Sequence, residues 1–226
     1  HYRALKHTRQ FQEGDPVEDL LCCNNSNELY HRTTATVTWN RMQAQSAQGT
    51  GVPLALARPE AAGRGRLEVS SPAFANGAAM DKRFSEYADA VSPPLRWSAV
   101  KGAKSYVLIA EDPDARPVTP VVHWVAFNIP ATTTSLPEGL EEQPRLTEPD
   151  GLLQGATTRG SPGYYGPRPP VGDPPHHYHF QVLALDTMLD VLPGASRDEM
   201  LAAARGHVLA RGELVGTYAQ KVKPPK

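Results

Sequence analysis

Only two cysteines occur in the 226 residues, Cys22 and Cys23, and they are adjacent. Neighbouring cysteines seldom close a structural disulfide, so no disulfide framework is implied, and the cytoplasm, a reducing compartment, is the expected setting. Long apolar runs are missing too. None approaches the ~20 residues that a membrane span needs, so no stable membrane insertion is expected. The basic opening HYRALKHTRQ carries no apolar core of the signal-peptide kind. Charge of one sign is also lacking. Lys plus Arg number 23 against 24 Asp plus Glu, a formal net charge of -1. That balance offers no electrostatic footprint for nucleic acid or an anionic membrane. There is no P-loop, no GxGxxG, no GxSxG elbow and no HExxH.

What the chain has in excess is loop formers, 22 prolines and 18 glycines, both above average usage. They divide it into two unequal parts. Residues 1–65 show little periodicity beyond TATVTW, and AGRGR (Ala62 to Arg66) reads as a linker. This part offers too little apolar surface to offset its ordering entropy. It is expected to be a poorly ordered or non-native extension. The chain opens on His1 and its first methionine is Met42, which suggests a first residue that precedes the natural start. The second part, 66–221, is expected to be the folded domain.

In that domain RLEVSSPAF, LRWSAV, SYVLIAED, VVHWVAFNIP and YHFQVLALD read as strands, bounded by Pro and Gly. In the last of these Tyr178, Phe180, Val182 and Ala184 share one face, and His179, Gln181, Leu183 and Leu185 the other. Ser196 with Glu199 three residues on has capping-box spacing, and RDEMLAAARGHVLARG is rich in helix formers, with Gly206 and Gly212 as possible interruptions. ELVGTYAQ reads as a last strand. The expected class is mainly β, a two-sheet Greek-key-type sandwich with one or two peripheral C-terminal helices.

Two constellations could carry chemistry. EDPDARPVTPVVHW, Glu111 to Trp124, ends a buried-looking strand with Asp112 and Asp114 and brings back His123 on the next. Asp beside Pro also makes ordinary turns, and a histidine within an apolar strand is often a satisfied core residue. GYYGPRPPVGDPPHHYHF, Gly163 to Phe180, is a proline-stiffened loop. Such a loop holds a concave surface at low entropic cost, or is a rigid surface loop with solvated histidines. Its His176, His177 and His179, with the Asp112 group, contain enough N and O ligands for zinc, but not in a recognised ligand pattern. No metal and no cofactor are expected. No nucleophile is evident beside the Asp and His groups, so no catalytic residue is assigned.

These segments stand in a familiar order: SPPLRW (92–97), YVLIAEDPDA (106–115), VHW (122–124), NIP (128–130), GYYGPRPPVG, HHYHFQVLALD and a late ELVGTY. Together they resemble the phosphatidylethanolamine-binding protein family, also called Raf kinase inhibitor protein-like, and its bacterial branch most closely. The resemblance spans about residues 66–220. It implies a β-sandwich with a small pocket for phosphate-type anions or phosphorylated head groups. By position the pocket residues are Asp112, Asp114, His123, Pro170, His176 and Tyr178, with Trp124 and Tyr165 as further contributors. Two departures stand out. Arg116 follows DPDA where the family usually has proline, and Arg168 precedes PP where many members have a small residue. Either arginine could bond an anion or point to solvent. The two carboxylates should repel a phosphate, so they are expected to act indirectly, orienting His123 and His176 and keeping them protonated.

The leading reading is a non-enzymatic binding protein for a small phosphorylated or anionic ligand. It would act as a regulator of a kinase or protease partner, with oligomers possible. Two alternatives remain open: a hydrolase or isomerase using Asp112 and His123 as acid–base groups, and an interaction module with a vestigial pocket.

Overall fold

In the computed structural model of the protein, residues 52–116 and 120–221 are described. TATVTW and the cysteine pair lie outside them. The order is β1 (Gly65–Arg66), β2 (Val69–Ser70), β3 (Leu95–Trp97), β4 (Ser105–Asp112), β5 (Val121–Pro130), β6 (Ser135–Leu136), β7 (Leu153–Ala156), β8 (His176–Leu185), β9 (Gly194–Ser196), one helix α1 (Arg197–Ala204) and β10 (Val208–Tyr218). Seven strands form one sheet in the order β1-β10-β8-β4-β5-β7-β9, and β2-β3-β6 form a second. The mainly β, two-sheet architecture is the expected one. No helix among the described residues is long and apolar enough to cross a membrane.

The large sheet is covered on both faces. On one, Leu95, Trp97 and Leu136 of the small sheet pack over Tyr106, Leu108, Tyr178, Phe180 and Val182. On the other, Met200, Leu201 and Ala204 of α1 pack with Ala55 and Ala61 over Val107, Ile109, Val125, Phe127, Leu183 and Leu185. A strand buried on both faces needs apolar residues at every position. That is why β4 reads as an unbroken run and is buried throughout.

Two expectations change. The helix ends at Ala204, and Val208–Tyr218 is strand, paired antiparallel with β8 along most of its length. Gly206 at φ 82° ends the helix, and the residues from Val208 onward find their hydrogen-bond partners on β8. The capping box at Ser196 and Glu199 is formed as expected.

The second concerns residues 52–65, assigned from sequence to the extension. They pack onto the domain through two short 3-10 turns, with Ala55 and Ala61 fully buried. Residues 1–51 lie outside the described residues. The attachment of 55–61 is polar as much as apolar. Glu111, fully buried, accepts from the Ala55 N–H at 2.7 Å and the Gln181 side chain at 2.6 Å. Its other oxygen pairs with Arg197. Gln181 accepts from the Leu56 N–H at 2.7 Å, and Arg211 donates to the Leu56 carbonyl at 2.6 Å. A short segment with little apolar surface is thus held by satisfying buried polar groups of the sheet.

Candidate functional site

The site lies where β4 and β8 run out, at the end of the large sheet. Glu111 pairs with His179 across these strands, so Asp112 and His176 meet just beyond. The Nδ1 of His176 donates to Asp112 Oδ2 at 2.8 Å. Asp112 Oδ1 accepts from the N–H groups of Asp114 at 2.8 Å and Ala115 at 3.1 Å. So the DPDA segment is a turn and also a wall of the site. The aspartate that organises the turn presents its other oxygen to a histidine.

His123 arrives by a defect in the pairing. Ala110 faces Trp124 and Glu111 faces Val122, with a register shift between them, so His123 is the extra residue of a β-bulge. A bulge re-aims the side chain it carries. His123 here packs edge-on to Tyr178 (centroids 5.1 Å, 78°) and stacks on Tyr165 (4.8 Å, 19°). Its Nδ1 lies 2.6 Å from the Tyr165 carbonyl, and the Tyr165 N–H donates to the His123 carbonyl at 2.7 Å. The far face of Tyr165 carries the Arg159 guanidinium, 3.7 Å from the ring centroid.

The proline loop closes the site and is stapled from outside. Tyr164 donates to the Phe84 carbonyl at 3.0 Å, Glu86 N–H to that of Pro167 at 3.0 Å, and Tyr87 to that of Pro169 at 2.8 Å. A Cβ on Gly166 would sit 2.6 Å from the Phe84 carbonyl oxygen, so only glycine allows this approach. The enclosed cavity is about 170 Å³, lined by Asp112, Arg116, His123, Tyr165, Arg168 and His176 among others.

The two histidines differ electrically. The hydrogen bond to Asp112, and then its charge, raise the pKa of His176 above the usual value despite burial. Burial pulls that of His123 down, and the Tyr165 carbonyl and the Asp112 charge only partly oppose it. The expectation that the carboxylates keep both protonated is therefore corrected: Asp112 orients and charges His176, while a backbone carbonyl holds His123. Asp114 does neither. It accepts from the backbone and ring of the neighbouring His177, each at 2.7 Å. Two buried polar atoms here, His123 Nε2 and the Tyr178 hydroxyl, have no hydrogen-bond partner among the described residues. Burial, followed by the Asp112 charge, drives the Tyr178 phenol far above its ordinary range, so it keeps its proton.

Of the residues anticipated from sequence, Asp112, Arg116, His123, Tyr165, Arg168, Pro170 and His176 line the cavity. Tyr178 stands behind His123, and Asp114 sits on the outer rim. Trp124 is corrected. It is fully buried in the core, donating its indole N–H to Gln154 at 2.7 Å and meeting Tyr164 edge-on. Arg116, the departure from the family pattern, spans both oxygens of Asp173 at 3.2 Å. Arg168 makes no ion pair among the described residues and is exposed at the mouth. Asp173 and Arg159 were not anticipated. Asp173 lies within the proline loop and Arg159 outside both constellations, and each acquires its place through tertiary contact. No group of His, Cys, Asp and Glu among the described residues is arranged to hold a metal.

Comparison with known proteins agrees with this fold. The family model described as "Phosphatidylethanolamine-binding protein" matches residues 70–219. A "UPF0098 protein" of Pyrococcus horikoshii is 44% identical over 156 residues, 69% of this chain and 77% of that protein. Another, from Methanothermobacter thermautotrophicus, is 44% identical over 153 residues, 67% of this chain and 98% of that one. Among solved structures, a putative phosphatidylethanolamine-binding protein homolog from Chlamydia trachomatis superposes with a TM-score of 0.62 at 34% identity, covering 70% of this chain and 99% of that one. E. coli YbcL gives 0.62 at 32% identity, with coverage of 70% and 99%.

Proposed function

The chain belongs to the phosphatidylethanolamine-binding protein family, and from that premise we propose that it is a binding protein whose pocket takes a single phosphate-type group. The observation that carries the reading is one small cavity lined by His176, whose cation the Asp112 hydrogen bond favours, together with His123 and Arg168. A few polar and cationic groups converging on one concavity point to an anionic occupant. Size argues the same way. The cavity of about 170 Å³ falls below the roughly 300 Å³ at which drug-sized ligands begin to fit. It suits one head group, with the rest of any larger ligand outside.

His176 supplies the cationic donor. Its negative partner Asp112 also lines the cavity, and its oxygens accept from that histidine and two backbone N–H groups. Arg168 and the Arg116–Asp173 pair stand at the mouth. Regulation of a kinase or protease in the cytoplasm is a further element of the proposal. It would act through the surface loops around the pocket and not through the pocket itself.

Phosphate titration by calorimetry tests the reading. His176 is raised above its ordinary value near 6.5, so its cation is present at pH 6 and is lost as pH rises through that raised value. A charge-assisted bond gives way to a neutral one, and phosphate affinity should fall roughly five- to tenfold between pH 6 and pH 9. His176→Gln should flatten that fall. Absence of saturable phosphate binding at both pH values would refute the proposal.

A further inference from the structure

Away from that cavity, the edge of the large sheet gathers arginines. The edge strand β1 runs parallel to β10, with Gly65 beside Ala210 and Arg66 beside Arg211. Partners in register share a face, so these two cations stand side by side, their strands roughly 4.8 Å apart. Arg64, Arg66 and Arg211 line one cavity of about 480 Å³ with Leu56, Gly63 and Glu213. Arg211 is fixed there. Its Nη1 donates to the Leu56 carbonyl at 2.6 Å and to the Ala61 carbonyl at 3.3 Å. Carbonyls hold a guanidinium without cancelling its charge. The Nε and Nη2 of Arg211 make no hydrogen bond among the described residues, so their donors remain for a ligand.

Like charges set side by side across strands destabilise a sheet unless something offsets them. Among the described residues no acid does so here. Glu213, the acid in the lining, bonds to His179 at 2.8 Å. Glu60 is taken by Arg58 and Arg205, and Asp198 by Arg58 and Arg197. Three arginines against one glutamate leave the lining with an excess of two positive charges. A second opening of about 690 Å³ adjoins the first across Leu56, Gly63, Arg64 and Arg211. No aromatic ring lines either one, so neither offers a stacking platform for a nucleobase. The place is far from the cavity at the sheet end. Arg211 faces Leu183, seven residues along β8 from His176, roughly 23 Å at ~3.3 Å per residue.

We propose that this arginine notch is a second anion site, and that it takes a ligand with two or three linked phosphate groups. Guanidinium groups pair with phosphate oxygens in a planar, two-pronged geometry. A single phosphate reaches only part of the set, whereas linked phosphates spread their charge over Arg64, Arg66 and Arg211 together. The cavity volume of about 480 Å³ falls in the roughly 300–1,000 Å³ range of small-molecule sites. The lack of a ring to stack on favours a free oligophosphate over a nucleotide. This site stands independently of the phosphate reading of the first cavity.

Calorimetry on the full chain with tripolyphosphate, ADP and inorganic phosphate tests it. Tripolyphosphate should bind saturably and more weakly as salt is raised. The Arg64→Gln/Arg66→Gln double variant should bind it roughly tenfold or more weakly, since charge-assisted bonds are lost. Both arginines are exposed, so Tm should stay unchanged. Arg211 is left in place because it also holds residues 56–61. The same loss should appear in a His176→Gln background, which takes the cation out of the first cavity, and there inorganic phosphate should bind more weakly than tripolyphosphate. Should His176→Gln fail to fold, the comparison of wild type with the double variant decides. Tripolyphosphate binding tighter than ADP identifies a free oligophosphate, and the reverse order a nucleotide. Either order upholds the site. Tripolyphosphate binding undiminished in the double variant, lost in His176→Gln alone, or absent from the wild type would overturn it.

Discussion

Removing the carboxylate at Asp112 should weaken phosphate binding, although it takes a negative charge out of an anion site. In Asp112→Asn the side-chain oxygen still accepts from the Asp114 and Ala115 N–H groups, so the turn survives. The new amide N–H faces His176 Nδ1, which sat 2.8 Å from the lost oxygen. That nitrogen must become an acceptor, and His176 becomes neutral. The pair changes from a cation beside an anion to two neutral groups, so net charge at the site is unchanged. What disappears is a charge-assisted hydrogen bond, worth about 1.5–3 kcal/mol. At about 2–4 °C per kcal/mol for a domain of this size, Tm should drop roughly 3–12 °C.

The pH dependence gives the signature. A histidine with a raised folded pKa contributes its stability fully below the unfolded value near 6.5, and loses it as pH rises through the folded value. The gap between wild type and Asp112→Asn should therefore be largest at pH 6 and shrink by pH 9. Differential scanning fluorimetry at the two pH values measures it, alongside phosphate calorimetry at pH 6. Tighter phosphate binding by the variant, or a Tm gap identical at both pH values, would refute the argument.

Two predictions concern the frame that holds the site. Arg197→Met leaves Glu111 buried without its cation and should cost about 3–5 kcal/mol in urea unfolding, with part recovered in the Glu111→Gln/Arg197→Met double variant. A loss under about 1 kcal/mol would show that the pair does not anchor α1 to the sheet. Gly155→Ala would put a methyl 2.2 Å from the Ala195 carbonyl oxygen, where β7 meets β9. The backbone there cannot yield as a flexible side chain would, so a cost of about 1–3 kcal/mol is expected, and unchanged urea stability would contradict the close approach.

The legible parts of the sequence are those where local pattern and burial agree. The central strands β4, β5 and β8 announce themselves, because each holds a consecutive apolar run, YVLIA, WVAF and VLAL. The strands β7 and β9 do not. LQGA and GAS have neither length nor alternation, and exist as strands because β5 and each other supply their partners. The helix is shorter than its composition suggests for the complementary reason. Residues 205–212 favour helix by composition, but Gly206 at φ 82° ends it and the open edge of β8 captures the residues from Val208 onward. The attachment of residues 52–65 is hidden in the sequence because its anchors, Glu111, Gln181, Arg197 and Arg211, lie far away along the chain and are polar.

The candidate site divides along the same line. Residue types alone left DPDA open as a turn and His123 as a core residue, and it was the resemblance of the ordered segments to a known family that implied one pocket with the proline loop. The roles within it were not local. Which nitrogen of a neutral His123 carries the proton depends on which group holds its Nδ1, and that group is a carbonyl 42 residues away. Whether Trp124 lines the pocket or the core depends on a bulge that only pairing with β4 creates. Sequence by itself determined the fold class and the chemistry available. Tertiary structure decided which nitrogen carries a proton, because burial and partner choice set protonation and neither is encoded in any single stretch of chain.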